Sequence, residues 1–271
     1  MQLNSKSTDF SFKSIGHVHS CYPEKFGTPR QSGLVSKAHA FLKLYSPFQP
    51  EFSLEGLNNF SHLWVIFVFH KNGVGHFHAK VHPPRLNGEN IGVFATRSPH
   101  RPNPIGLSLV EILSVEKNGV WVSGVDFIEH TPILDIKPYL KNVEAITNAK
   151  TGWADNSAVV PEASATKVDI QIYWSEHALK FLTEYTPKAD KVAKLSHLRE
   201  LIEQTLKLDP RPLVYRGYEG ENSPYRQSHA VRIYDLDIHF RFSSSREIQI
   251  EKIEFFNPTR ELDTPYQPDT C

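Results

Sequence analysis

Residues 107–127, LSLVEILSVEKNGVWVSGVDF, constrain the fold more than any other stretch. Asn118-Gly119 separates two arms rich in β-branched and aromatic residues. Asn-Gly accepts positive φ at low cost, as a type I′ hairpin turn requires. The first arm is apolar on both faces, with Leu107, Leu109, Leu113 and Val115 on one and Val110 and Ile112 on the other. A strand apolar on both sides belongs in a closed or covered sheet. Three more runs read as strands, at 15–19 (IGHVH), 63–69 (LWVIFVF) and 91–96 (IGVFAT). Residues 1–143 also hold more than half of the 19 prolines and little helical periodicity. The expectation is a mostly-β, barrel-like N-terminal domain over residues 1–143.

Texture then changes twice. Residues 144–166 are small and polar without a sustained period, which reads as a linker packed locally by Trp153. Residues 167–271 read as a small C-terminal α+β domain. A strand at 168–174 precedes a helix capped by Ser175 and running to about Tyr185. A second helix opens at Asp190, striped by Val192, Leu195, Leu198, Leu201, Ile202, Thr205 and Leu208. Asp209-Pro210-Arg211-Pro212 ends it, because proline cannot continue a helix and disfavours helix just before it. Two or three strands follow within 212–256.

Charge excludes a globally basic nucleic-acid binder: Lys+Arg and Asp+Glu are both 30. No apolar run approaches the ~20 residues of a membrane-spanning helix. The start lacks the basic and apolar segments of a signal peptide. Two cysteines, Cys21 and Cys271, make no disulfide framework. Together these favour a cytoplasmic protein with no membrane partner. No GxGxxG, Walker loop or GxSxG occurs, which argues against doubly wound nucleotide binding.

Three segments concentrate chemistry. Residues 95–107, ATRSPHRPNPIGL, join two apolar runs through three prolines, two arginines, a histidine and an asparagine. Prolines lower the entropy cost of presenting polar groups, and planar guanidiniums suit carboxylates and phosphates. The plainer alternative is a rigid loop whose arginines satisfy backbone carbonyls. Residues 126–139, DFIEHTPILDIKPY, pack acids, a base and a phenol into an apolar stretch. Residues 25–33, KFGTPRQSG, carry turn chemistry. His76, His78 and His82 invite a metal reading, but they lack cysteine neighbours and a catalytic His/Glu helix motif, so no metal is expected.

Together, GVFATRSPHRPNPIGLSLVEI, DFIEHTPILDIKPY, PEKFGTPRQSGL and FSHLWVIFVFH resemble the TsaA/TrmO-type family of tRNA methyltransferases. The resemblance is dense over residues 12 to about 143. The remainder resembles the C-terminal extension of long bacterial members, with LDPRP at 208–212 as landmark. It implies a β-barrel that binds S-adenosylmethionine and methylates N6 of threonylcarbamoyladenosine at position 37, in the tRNA anticodon loop, as a homodimer. The family's cofactor pattern falls on Gln31, Ser32 and Gly33, then Phe69 and His70, then Arg97 and Leu107, and finally His130, Thr131, Pro132 and Ile133. Where His130 stands, the family pattern often has glycine.

N6 of that substrate is a ureido nitrogen and a weak nucleophile, so losing its proton during transfer would help. Asp135, Asp126 and Tyr139 are possible acceptors, with Asp135 preferred because it lies in the densest run; the alternative is that positioning suffices and solvent takes the proton. Two rival readings stand beside this one: a non-catalytic RNA-binding module using Arg97, His100 and Arg101, and a metal hydrolase built on the three histidines. A C-terminal cluster of Arg211, Tyr215, Arg216, Tyr218, Tyr225, Arg226 and His229 could face RNA or could be structural.

Overall fold

The computed structural model describes residues 10–72, 77–83, 86, 89–155, 170–185, 198–212, 215–219, 224–225 and 227–257. Strands β1 (Gly16–Ser20), β2 (His39–Leu44) and β3 (His62–Val68) come first. A two-stranded ribbon, β4 (Lys80–Val81) and β5 (Ile91–Gly92), follows. Then come β6 (Ile105–Glu116), β7 (Gly119–Ser123) and β8 (Pro132–Pro138). Six of these close an antiparallel barrel in the order β1-β2-β7-β6-β3-β8, the barrel-like domain expected. Alternation puts Val18, Leu42, Leu63, Val65, Phe67, Val110, Val120, Val122 and Ile133 inside, all essentially buried.

Three details differ from the sequence reading. The β6–β7 turn is Lys117-Asn118, because Glu116 pairs with Gly119, and neither Asn118 nor Gly119 has positive φ. Gly119 answers to packing instead: a Cβ there would overlap the Leu42 carbonyl on β2, where the closing barrel brings the strands together. Nor is β6 buried on both faces. Leu107 is 54% and Leu113 45% exposed, since a closed barrel has a single interior and β6 gives it Gly106, Ser108 and Val110. Finally, residues 91–96 are strand only for Ile91–Gly92; Val93–Ala95 form a 3-10 turn into the proline-rich loop.

The C-terminal part is α+β as expected. β9 (Gln171–Trp174) joins parallel to β12 (Glu247–Phe255), in a sheet ordered β10 (Ser228–Ile233), β11 (Leu236–Ser244), β12, β9. Helix α1 (Glu176–Glu184) is capped by Ser175, whose Oγ accepts from the Ala178 N–H at 3.1 Å. Helix α2 (Leu198–Leu206) buries Leu198, Leu201, Ile202, Thr205 and Leu206 and precedes Asp209-Pro210. The proposed opening at Asp190, with Val192 and Leu195, lies outside the described residues.

The C-terminal cluster is largely structural. Arg211 is 3% exposed, bidentate to Asp209 at 2.8 and 2.9 Å, bonded to Glu219, and stacked 3.4 Å from the Phe242 ring centroid. His229 is 4% exposed, Arg216 pairs with Asp209, and Tyr215 stacks on Tyr225. Arg226 lies outside the described residues. Trp153 donates its indole N–H to the Ala95 carbonyl at 2.8 Å, a contact to the proline-rich loop and not within its own segment. Cys21 is a buried free thiol whose pKa burial pushes up; Cys271 lies outside the described residues. No helix among the described residues is long and apolar enough to cross a membrane.

Candidate functional site

The chemical segments meet at one rim of the barrel because short polar links tie their loops. Lys25 Nζ donates to the Lys71 carbonyl and to Asn72 Oδ1, at 3.1 and 3.0 Å. Lys71 Nζ donates back to the Pro23 carbonyl, and Asn72 Nδ2 donates to the Pro99 carbonyl. The Phe69 N–H donates to the Pro104 carbonyl at 2.9 Å, pinning the end of β3 to the proline-rich loop.

The two arginines of that loop divide the two expectations between them. Arg101 donates to the Val93 and Thr96 carbonyls, 3.2 and 2.8 Å, and so holds the loop's own shape. Arg97 reaches out of the loop and donates to Gln31 Oε1 at 2.6 Å. Next to Gln31, the Ser32 backbone faces the Asp126 carboxylate. The Gly33 N–H donates to the Gly124 carbonyl at 2.8 Å, with Gly33 at φ +83°. Open space lies where a Gly33 Cβ would be, so this backbone borders a gap rather than a wall.

Asp126 sits beneath this group. Burial pushes its carboxyl up to about 6, although Ser108 donates to it at 2.6 Å and the Ser32 N–H and Arg97 charge pull the other way. Phe69 packs edge-on to Phe67, which packs on Phe127. His70 lies near enough to His130 for charge coupling, and burial is the main reason its pKa is lowered.

His130 takes a left-handed backbone, φ 62°. That conformation is cheaper for glycine than for histidine. Its N–H donates to the Val18 carbonyl at 2.9 Å and its ring is exposed. Thr131 and Ile133 are buried, and their carbonyls accept from Val18 and Ile15; Pro132 starts β8 opposite His17. Whatever these three bring to a ligand is shape.

Leu107 and Asp135 occupy a different strip, on the outer wall, where both are register partners of Ile66. Asp135 is paired with Lys137 at 2.7 Å and is 45% exposed. Thus the structure gathers Gln31, Ser32, Gly33 and Arg97 around Asp126, and His70 near His130. It sets Leu107 and Asp135 along the adjoining face. Ser108 and Gly124, which hold this group together, went unnamed in the sequence reading; only their alternation with apolar neighbours in 107–127 marks them.

Of the histidines weighed for metal, His76 lies outside the described residues, and exposed His78 rings against His100. A cavity of about 360 Å³ opens behind the first loop, lined by Phe26, Gly27, Arg30, Thr205, Leu208 and Pro210.

Comparison with known proteins converges on one family. Residues 17–145 match the model of the tRNA-methyltransferase O N-terminal domain, and residues 167–255 that of the TrmO C-terminal domain. A putative S-adenosylmethionine-dependent methyltransferase, RcsF of Pseudomonas aeruginosa, is 39% identical over 233 residues, 86% of this chain and 92% of that one. The tRNA (adenine(37)-N6)-methyltransferase of Escherichia coli is 36% identical over 88% of this chain and 95% of its own. The mouse protein of that name is 54% identical, but over only 32% of its length. The crystal structure of TrmO from P. aeruginosa superimposes with TM-score 0.71 at 34% identity, covering 93% of this chain and all of that one. With its loops joined as the motifs required and both parts of the chain matched, the protein belongs to the long, two-part form of the TrmO family of tRNA methyltransferases.

Proposed function

We propose that the chain transfers a methyl group from S-adenosylmethionine to N6 of threonylcarbamoyladenosine at position 37 of tRNA. The observation that carries this reading is the Arg97–Gln31 link across two loops, set over Asp126 and beside open space at Gly33. The residues fit the group. A guanidinium suits the methionine carboxylate, and the backbone of residues 31–33 can hold an adenine edge. Carbonyls, a carboxylate and the Phe69 face suit a sulfonium. When bound, S-adenosylmethionine supplies an electrophilic methyl on sulfur.

The chain's task is then alignment and proton removal. Asp126 is the better-placed acceptor: it lies at the Arg97 group with a carboxyl near 6, whereas Asp135 is exposed and neutralised by Lys137. We further infer a division at 1–143, 144–166 and 167–271, a homodimer and a cytoplasmic location, where the tRNA is. The outward Ile105, Leu107 and Leu113 of β6 support the dimer, as an apolar strip that a second copy would cover.

The test is mass spectrometry of tRNA nucleosides from cells lacking the protein, with calorimetry of S-adenosylmethionine binding to the purified chain. Loss of the methylated nucleoside and stoichiometric binding are expected. Unchanged nucleosides with no binding would return the chain to a non-catalytic RNA-binding module. Sedimentation should give twice the 30.9 kDa chain mass, and Leu107→Asp the single mass.

A further inference from the structure

Strand β1 carries His17 and His19 two residues apart, so both side chains leave the same outer face of the barrel. The loop before β8 brings His130 against them. The three rings lie with centroids 4.7, 6.1 and 6.1 Å apart, and one ligating atom from each lies within 4.8 Å of the others. The contacts of His130 were not visible as a motif, because residue 130 is distant in sequence from residues 17 and 19.

We propose that His17, His19 and His130 form a binding site for a borderline divalent transition-metal ion, with Zn2+ as its reference occupant and Glu129 as the supporting carboxylate. The site shares His130 with the cofactor pattern but takes none of the Arg97 group, and it does not rest on the methyltransferase reading.

Geometry carries it. At a tetrahedral Zn2+ with Zn–N bonds of about 2.0–2.1 Å, two imidazole nitrogens stand roughly 3.3–3.4 Å apart. His17 Nε2 and His19 Nε2 are 3.2 Å apart and hydrogen-bonded to each other, so an ion between them would take the place of their shared proton. The hydrogen-bond donors fix which nitrogens face the centre. An ionised carboxylate only accepts, and Glu129 Oε1 lies 3.1 Å from His19 Nδ1, so His19 carries its proton there and turns a bare Nε2 lone pair toward His17. This is the carboxylate–histidine arrangement that orients metal-binding imidazoles and raises their basicity. Glu129 is itself held, since its Oε2 accepts from the Ser20 N–H at 2.5 Å. Its Oε1 also lies 3.6 Å from His130 Nδ1.

The third ligand is delivered by a costly backbone. A non-glycine residue is uncommon in the left-handed region because its Cβ crowds the backbone there. His130 is nonetheless held there by its own N–H to Val18 and by the Val18 N–H to Thr131. Strained positions that the surroundings enforce concentrate at functional sites. An anion such as an RNA phosphate is the other ligand that three imidazoles could take, but the Glu129 carboxylate inside the group repels it. Imidazole donors with a carboxylate behind them suit Zn2+, Cu2+ or Ni2+ over Mg2+ or Ca2+.

The experiment is calorimetric titration of metal-free, full-length protein with Zn2+ alone, repeated with Mg2+. One Zn2+ per chain and no Mg2+ uptake are expected. Glu129→Gln should weaken Zn2+ about 10–100-fold, as loss of a supporting carboxylate does. His19→Ala and His130→Gly should weaken it further. Glycine is the replacement of choice at 130, because it accepts the left-handed backbone and keeps the loop folded while deleting the ligand. His78→Ala, in the other histidine pair, should change nothing. Absence of stoichiometric Zn2+ uptake overturns the proposal, as does uptake undiminished in His130→Gly or in a folded His17→Ala/His19→Ala double variant.

Discussion

Arg97 and Arg101 stand four residues apart in one proline-braced loop and do different work. Arg101 is spent on the loop's own carbonyls, so Arg101→Ala should lower stability and disorder residues 93–104. Arg97 reaches out of the loop. Arg97→Ala should leave the melting temperature nearly unchanged while weakening S-adenosylmethionine binding by roughly ten- to a hundredfold, the worth of a charge-assisted hydrogen bond. Equal calorimetric affinities would remove Arg97 from the proposed site. Asp126 makes a prediction of opposite sign to the usual carboxylate. Its folded pKa, about 6, lies above the ordinary 3.8, so the fold favours the protonated form. The stability this contributes is full below the unfolded value and is lost as pH rises through 6. Asp126→Asn removes the titration. Between pH 4 and 7 the wild type should therefore lose about 2 kcal/mol relative to the variant. Urea midpoints at four pH values across that range measure it, and parallel profiles would sink the assignment.

Secondary structure was legible where side-chain period and cap chemistry agree. Ser175 illustrates this: its hydroxyl accepts from Ala178 and also donates to the Glu251 carbonyl at 2.6 Å, joining α1 to β12. Ser175→Ala should therefore cost about 1–2 kcal/mol, read as a lower urea midpoint at unchanged slope. The β6–β7 hairpin was legible as a pair of arms but not in its turn. Asn-Gly chemistry favours one register, while the approach of β2 to Gly119 imposes another, and only tertiary contact decides. The burial of β6 failed for a related reason: a strand's pattern gives its two faces but not which of them a neighbour covers. At the candidate site, motif residues such as Gln31 and Arg97 could be named from sequence, yet their pairing depends on three loops meeting at one rim. The His17–His19–His130 group escaped entirely, because strand pairing, not spacing, brings residue 130 to β1.

The two parts of the chain share one core, and this governs how the molecule should unfold. Buried Tyr22, just after β1, hydrogen-bonds through its hydroxyl to Thr205 of α2 at 3.0 Å. The Tyr234 N–H donates to the Cys21 carbonyl at 2.8 Å. Around this centre Lys37 pairs with Glu200 at 3.1 Å and Arg232 with Glu24 at 3.4 Å. Gly27 lies so close to Val231 that a side chain there would displace it. The ion pairs are partly exposed and contribute little each. The Tyr22–Thr205 bond is different, because neither group can turn to water if its partner is lost. Tyr22→Phe leaves the Thr205 hydroxyl buried and short of a partner, at a cost of about 1–3 kcal/mol. If the barrel and the C-terminal sheet form one cooperative unit, that loss must appear in both. Hydrogen exchange read by mass spectrometry should show β3 of the barrel and β11 of the C-terminal sheet losing protection by the same factor in Tyr22→Phe. Loss confined to the C-terminal sheet, with β3 unchanged, would mean that the barrel stands without its extension.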